Sequence, residues 1–159
     1  MGIGKASTAL SQQPYPSKPI RVYVPNPPGG ATDTLARLIG PRLAEGLGQP
    51  MLVENRSGSN GNLATESTGK AAPDGYTLYL GNIGTLAINP AIYPNLSVQP
   101  LKDFAPITLI ANVPSALVAN SEWGPRQLAD AVTKLRASPD KFNFATPGSG
   151  SLNRLRSEE

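Results

Sequence analysis

The chain of 159 residues contains neither cysteine nor histidine. Their absence excludes zinc sites built from the usual ligands, thiol nucleophiles, disulfides and every catalytic triad that depends on histidine. No apolar run in the sequence approaches the ~20 residues that a membrane-spanning helix needs. The sequence also lacks a Gly-x4-Gly-Lys-Ser/Thr phosphate-binding run, so binding of a nucleoside triphosphate has no support. We therefore expect no metal ion and no cofactor.

Charged residues are few, and their distribution does not suit nucleic acid. Fourteen basic and eleven acidic residues give a formal net charge of +3, and the basic residues are spread along the chain. The aromatic residues form no cluster on which bases could stack. A hydrophobic fraction of 39%, with 17 prolines and 16 glycines, is typical of a globular chain of many short elements. We expect no nucleic-acid partner.

The first half of the chain alternates strands and helices. Residues 20–24 and 51–54 are predicted strands, and the Pro-Asp-Gly turn at residues 73–75 precedes a third strand at residues 76–80. Small residues predict a weak helix at residues 63–71. This β-α-β-α-β order predicts an α/β fold with a parallel sheet, right-handed crossovers and a ligand crevice at the carboxyl ends of the strands.

The helix between the first two strands has the clearer pattern. Its apolar residues recur at every fourth position and predict one buried stripe: Leu35, Ile39, Leu43 and Leu47. Pro41 lies inside this pattern and is expected to kink or restart the helix, because proline lacks a backbone donor.

Two segments rich in glycine and small polar residues each follow a short apolar run, at residues 25–33 and 146–151. Glycines where a helix begins leave unpaired backbone N–H groups exposed. These donors and the helix dipole bind small carboxylates or phosphates without a catalytic side chain. The candidate ligand-binding residues are Pro28, Gly29, Gly30, Ala31, Thr32 and Asp33, then Thr146, Gly148, Ser149, Gly150 and Ser151, with Asn82 and Thr85 beyond the third strand.

Each candidate also has a purely structural role open to it. Gly29 and Gly30 could serve only to form a tight turn. Thr32 or Asp33 could cap the helix, and for Asp33 capping is the expected role ahead of accepting a ligand amine or repelling surplus negative charge. Asn82 and Thr85, expected as uncharged donors at the crevice edge, could equally be turn residues.

A composition break at residues 100–103 marks the passage from one lobe into a second. Two apolar runs follow, at residues 105–111 and 116–119, before a helix and a strand at residues 142–145. The apolar positions of that helix are Leu128, Ala131, Val132 and Leu135. A fresh strand-helix-strand series is therefore predicted in the second half.

Eight motifs in order identify a family. They are Tyr-Pro-Ser-Lys-Pro-Ile-Arg from residue 15, Pro-Pro-Gly-Gly-Ala-Thr-Asp from residue 27, Leu-Gly-Gln-Pro from residue 47, Val-Glu-Asn-Arg from residue 53, Ala-Pro-Asp-Gly-Tyr-Thr-Leu from residue 72, Asn-Pro from residue 89, Leu-Lys-Asp-Phe-Ala-Pro from residue 101 and Thr-Pro-Gly-Ser-Gly-Ser from residue 146. Over residues 15–155 the chain resembles the Bug receptors, the extracytoplasmic solute-binding proteins of tripartite tricarboxylate transporters.

The resemblance implies a periplasmic-binding-protein fold of the type II-like, Venus-flytrap kind. It implies a periplasmic receptor, not an enzyme, that captures a small dicarboxylate, tricarboxylate or related acid between two lobes and passes it to a membrane permease. On this basis residues 1–14 are expected to be a leader or signal remnant and residues 15–106 the N-terminal part of lobe one. Residues 107–159 would begin lobe two.

Three departures accompany the resemblance. Family members carry an export signal that is not intact here, and Arg154 stands where they usually have histidine. They also run to roughly twice this length, as two ordinary domains require. We therefore expect lobe one to be mostly present and lobe two to be truncated. Two alternatives stay open, namely a small α/β enzyme acting on an acid metabolite with Asp33 as its general base, and a non-functional receptor fragment.

Overall fold

The computed structural model describes residues 14–139, 141–143, 145–146, 151 and 153, so most of the expected leader lies outside the described residues. The strands are β1 Ile20–Val24, β2 Met51–Asn55 and β3 Thr77–Tyr79. The α-helices are α1 Ala31–Leu47, α2 Asn62–Gly69, α3 Asn89–Ile92, α4 Pro100–Asp103 and α5 Leu128–Arg136. A π-helical turn at Gly84–Ile88 leads into α3, and 3₁₀ turns lie at Ser59–Gly61 and Ser121–Trp123.

The three strands form a parallel sheet in the order β2-β1-β3. The register places Val22 beside Val53 on one side and beside Leu78 on the other. The parallel pairing confirms the prediction from the alternation of strands and helices. All three strands therefore end at the same edge, and the loops that follow them lie side by side.

Helices cover both faces of the sheet. On one face Val22 and Val24 pack with Ala36 of α1, and partly buried apolar side chains from β2 and β3 join them. On the other face the hydroxyls of Tyr79 and Thr65, the latter on α2, form a hydrogen bond of 3.0 Å. The centroid of the Tyr79 ring lies 5.6 Å from that of the Phe104 ring. The core is thus a thin α/β/α sandwich around β1.

The predicted stripe on α1 is wrong in its second half, because Leu35 and Ile39 are half-buried but Leu43 and Leu47 are exposed. The buried residues of α1 are Thr32, Asp33, Ala36 and Gly40, whereas Leu43 and Leu47 are 41% and 38% exposed. Small side chains at positions 32, 36 and 40 let the helix lie close to the sheet, where a Cβ on Gly40 would stand 3.8 Å from Met51 Cβ. The helix also continues through Pro41 without restarting and ends at Gly48, whose φ is +68°.

The structure confirms one of the elements predicted for the second half of the chain. Helix α5 forms as expected, but residues 104–120 contain no helix or strand and are almost entirely exposed. Leu109 and Val118, for example, are 75% and 84% exposed. The predicted series was expected to begin with a strand, but neither apolar run, at residues 105–111 or 116–119, forms one. No strand in the described part of the chain lies beside either run to pair with it. Residues 142, 143 and 145 are not in a strand either, and Phe144 lies outside the described residues.

Candidate functional site

Asparagines at or just beyond the carboxyl ends of the three strands meet at one edge of the sheet. Asn55, the last residue of β2, donates through Nδ2 to the Asn26 carbonyl oxygen at 3.0 Å. Asn82 donates through Nδ2 to Asn26 Oδ1 at 3.3 Å. Asn26, in the loop after β1, thereby contacts the end of β2 and the loop after β3. Asn26 and Asn55 were not among the candidate residues, although an asparagine just past each of two neighbouring predicted strands, at residues 20–24 and 51–54, is a signal that points to this edge.

The glycine pair in the first loop has two different structural reasons. Gly29 has a φ of +83°, which an L side chain rarely adopts, and nothing lies within 4 Å of where its Cβ would stand. Gly30 has an ordinary φ of −69° and serves as N-cap of α1. Its constraint is space, because an added Cβ would lie 2.8 Å from Asn26 Cβ. The backbone N–H of Gly30 donates to the Pro27 carbonyl oxygen at 3.0 Å and closes the turn.

Asp33 holds this loop against the helix. Its Oδ2 accepts the Gly29 N–H at 2.8 Å, and its Oδ1 accepts Arg37 Nε and Asn55 Nδ2, both at 2.9 Å. Arg37 also donates to Asn55 Oδ1 at 3.0 Å. Asp33 lies in the first helical turn and reaches back past the N-cap Gly30 to Gly29. It therefore fastens the loop but accepts no N–H of α1, so the capping role expected for it is wrong.

The hydrogen bonds to Asp33 set its charge state. The Gly29 N–H and the Asn55 amide, followed by Arg37, lower the pKa of Asp33 below its ordinary value of 3.8, against the opposing effect of burial. Asp33 is therefore ionised at neutral pH, and the Arg37 guanidinium offsets its charge. A carboxylate arriving at the start of α1 consequently meets no uncompensated negative charge.

Asn82 and Thr85 form three hydrogen bonds with each other. The N–H of Asn82 donates to Thr85 Oγ1, the N–H of Thr85 donates to Asn82 Oδ1, and the Thr85 hydroxyl donates to the Asn82 carbonyl, each at 3.2 Å. Thr85 is only 2% exposed. These bonds make the pair a cap for the π-helical turn at Gly84–Ile88. Because the Thr85 hydroxyl donates its hydrogen to the Asn82 carbonyl oxygen, that hydrogen is not available to a ligand.

The loop between β2 and α2 packs against this site. Gly61 has a φ of +86°, and an added Cβ would lie 2.5 Å from Thr85 Cγ2 and 2.9 Å from Pro25 Cβ. Ser59 and Asn60 also have positive φ values of 46° and 56°. Asn89 fixes the loop, because its fully buried Nδ2 donates to the Asn60 carbonyl at 2.9 Å and to Asn62 Oδ1 at 2.6 Å. Sequence reasoning treated this segment only as a loop.

Backbone donors remain free at the start of α1. The first N–H groups of a helix have no acceptor within it, and the N–H of Thr34 is the first to reach a helical carbonyl, that of Gly30 at 2.9 Å. In the part of the chain that the structure describes, the N–H groups of Ala31, Thr32 and Asp33 have no hydrogen-bond acceptor. They are suited to an anion, because they lie at the positive end of the helix dipole.

The second glycine-rich segment is described only in part. Thr146 and Ser151 are half-buried, and Gly148, Ser149 and Gly150 lie outside the described residues. Pro28 and Ala31 of the first segment are exposed. Over the described ranges, no group of three acidic, cysteine or histidine side chains could hold a metal ion, and no helix has the length and apolar character to cross a membrane.

A family model described as the tripartite tricarboxylate transporter family receptor matches residues 35–159. Protein BugT of Bordetella pertussis is 37% identical over 150 residues, which cover 94% of this chain and 46% of that protein. The chain thus spans a little under half the length of the curated relatives it matches.

Two solved structures from Rhodopseudomonas palustris have the same α/β fold. MatC with bound malate superposes with a TM-score of 0.78 and 39% identity, covering 87% of this chain and 47% of that one. Rpa4515 with adipate superposes with a TM-score of 0.81 and 36% identity, covering 86% of this chain and 46% of that one. The described architecture is therefore that of a periplasmic binding protein over about half of its length.

Proposed function

Because the chain belongs to the tripartite tricarboxylate transporter receptor family, we propose that it is an extracytoplasmic solute-binding protein that captures a small carboxylate. The observation that carries this proposal is the set of three free N–H groups, from Ala31 to Asp33, at the start of α1. They lie beside the Gly29-Gly30 turn at the carboxyl edge of the sheet, where parallel α/β folds bind their ligands.

The chemistry of this edge favours a carboxylate. Backbone donors at a helix N-terminus stabilise negative charge, and the Arg37 guanidinium bound to Asp33 offsets the charge of that residue. MatC and Rpa4515, which share the fold, were solved with malate and adipate, and both of these are dicarboxylates. We infer a dicarboxylate or a related acid as the ligand, with Pro28 to Asp33 holding one carboxyl group.

The remaining candidates belong to the same proposed cleft. Asn82 and Thr85 would line its edge, and one Asn82 Nδ2 hydrogen remains after the bond to Asn26. The second glycine-rich segment, from Thr146 through Gly148, Ser149 and Gly150 to Ser151, would hold the other carboxyl group with backbone and hydroxyl donors.

Binding without turnover fits the site better than catalysis does. Asp33 is the residue that an enzymatic alternative requires as general base, yet its carboxylate already accepts three hydrogen bonds and its pKa is lowered. A carboxylate in that state is a weak proton acceptor at neutral pH. We therefore propose a receptor that works in the periplasm and hands its acid to the membrane permease of the transporter.

Calorimetric titration of the chain with succinate, malate and adipate tests this function. We expect saturable binding of at least one of these acids, together with a rise in the unfolding midpoint. A ligand at a hundredfold excess over its dissociation constant stabilises the folded state by about 2.7 kcal/mol. Succinamide, the neutral diamide of succinate, is the control and should neither bind nor stabilise. Equal effects of succinate and succinamide, or none from any acid, would contradict the proposal.

A further inference from the structure

We propose that Asn26 contacts the ligand and selects acids that carry an oxygen substituent next to the bound carboxyl group, namely hydroxy acids and keto acids. The inference rests on the proposed carboxylate site at the start of α1 and names the class of acid that this site prefers. Asn26 follows Pro25 just beyond β1 and is half-buried. It lies where the glycine loop meets the loop of Asn82.

The orientation of the Asn26 carboxamide follows from a single backbone donor. The N–H of Thr85 contacts one end of the Asn82 carboxamide at 3.2 Å. Because a backbone N–H can only donate, that end must be the acceptor Oδ1. The other end of the Asn82 carboxamide is then Nδ2, which is also only a donor. Its contact with Asn26 at 3.3 Å therefore fixes the facing Asn26 atom as Oδ1.

A second donor holds the same oxygen. The Thr32 hydroxyl donates to Asn26 Oδ1 at 2.6 Å. With its oxygen held by Asn82 and Thr32, the Asn26 carboxamide presents its Nδ2 group elsewhere, and no residue in the described part of the chain accepts a hydrogen bond from it. Asn26 Nδ2 is also not sealed from solvent. Two N–H hydrogens are therefore held in a fixed direction and are available to a ligand.

The position of Asn26 decides what these hydrogens can bind. Thr32 contributes both a free N–H at the start of α1 and the hydroxyl that holds Asn26, so the Asn26 carboxamide adjoins the place proposed for the carboxylate. An N–H donor there cannot bind the ammonium group of an amino acid, but it can bind a hydroxyl or keto oxygen on the adjacent carbon. A plain methylene at that place would leave the donor unpaired, which disfavours unsubstituted acids.

Malate and succinate form the sharpest test, because they differ by one hydroxyl group. One neutral hydrogen bond corresponds to a preference of about threefold to tenfold, so the chain should bind malate more tightly than succinate by that factor. In Asn26→Leu, which has a similar shape but no donor, the two affinities should become equal. Preservation of the malate preference in Asn26→Leu would overturn the inference.

A second variant guards against misfolding. Leucine at position 26 also removes the acceptor for Thr32 and Asn82, whereas Asn26→Asp keeps that acceptor and replaces only the Nδ2 group with oxygen. We expect Asn26→Asp to lose malate binding, while Asn95→Asp, which adds the same charge at an exposed position, should bind malate like the original chain. Malate binding by Asn26→Asp at the original affinity would overturn the inference.

The outcomes separate this inference from the proposed function on which it rests. If the original chain binds malate and succinate equally well, the inference fails and the proposed function stands. If it binds adipate but neither malate nor succinate, the inference also fails and the proposed function stands. If it binds none of the three acids, both fail.

Discussion

The Asp33 carboxylate accepts the N–H of Gly29 at 2.8 Å, so the first turn of α1 holds the loop that precedes it. Arg37 and Asn55 bind the other oxygen of the same carboxylate. The carboxylate therefore joins the glycine loop, helix α1 and the end of β2. It also takes up the Gly29 N–H and leaves the N–H groups of the next three helical residues free.

This arrangement predicts a pH-dependent contribution of Asp33 to stability. Because folding lowers the pKa of Asp33 below its ordinary value of 3.8, its stabilising effect is complete above that value. The effect disappears as pH falls through the lower pKa of the folded state. Asp33→Asn should therefore lower the unfolding midpoint at about pH 7, and the difference from the original chain should shrink towards about pH 2.

Thermal unfolding of both proteins across this pH range checks the prediction. Glu45→Gln is the matched control, because Glu45 lies on the exposed surface of the same helix, and its midpoint should follow that of the original chain. A difference between Asp33→Asn and the original chain that is as large at the acid end as at neutral pH would contradict the account.

The two adjacent glycines should respond differently to substitution. In Gly29→Ala the added Cβ has no atom within 4 Å, but the backbone of an L residue must adopt the left-handed region. We expect this to lower the free energy of unfolding by about 1–2 kcal/mol. Gly30→Val has no such backbone problem, but its Cβ would lie 2.8 Å from Asn26 Cβ, so the loop must shift. We expect Gly30→Val to abolish acid binding. Denaturant unfolding and calorimetry on both variants measure these effects, and unchanged affinity in Gly30→Val would count against the site.

The buried Asn89 should be essential for the loop between β2 and α2. Asn89→Leu is similar in size but removes bonds to Asn60 and Asn62, and each buried polar group left unpaired costs about 1–3 kcal/mol. Asn95→Leu, at an exposed position, should change the free energy of unfolding by less than about 0.5 kcal/mol. Equal denaturation midpoints for these two variants would show that the Asn89 bonds contribute nothing.

Local patterns in the sequence predicted the parallel sheet well. Alternation identified β1 with its observed bounds, and the turn before Tyr76 located β3. The buried face of α1 was missed because periodicity counts large apolar residues. Burial in this helix is instead decided by how closely Ala36 and Gly40 let it approach the sheet.

Only part of the site was predicted, because some of its contacts join residues that are far apart in the chain. The glycine loop follows from residues within a few positions of one another in the chain. Asp33 was placed at the start of the helix on the same grounds, but it binds the N–H of Gly29 in the loop and not one in the helix. The contacts of Asn26 with Asn55 and Asn82 span 29 and 56 residues, and they depend on the strand order β2-β1-β3, which no local pattern specifies. The strand expected before α5 is absent for the converse reason, since an apolar run becomes a strand only beside a partner strand.

Backbone amide resonances of the isotope-labelled chain, followed by NMR during titration with malate, test the central claim most directly. We expect saturable shifts concentrated at the N–H groups of Ala31, Thr32 and Asp33. Sodium chloride at equal ionic strength should not reproduce them. Saturable shifts that leave these three amides unchanged, or shifts that chloride reproduces equally, would contradict the claim that the start of α1 binds a carboxylate.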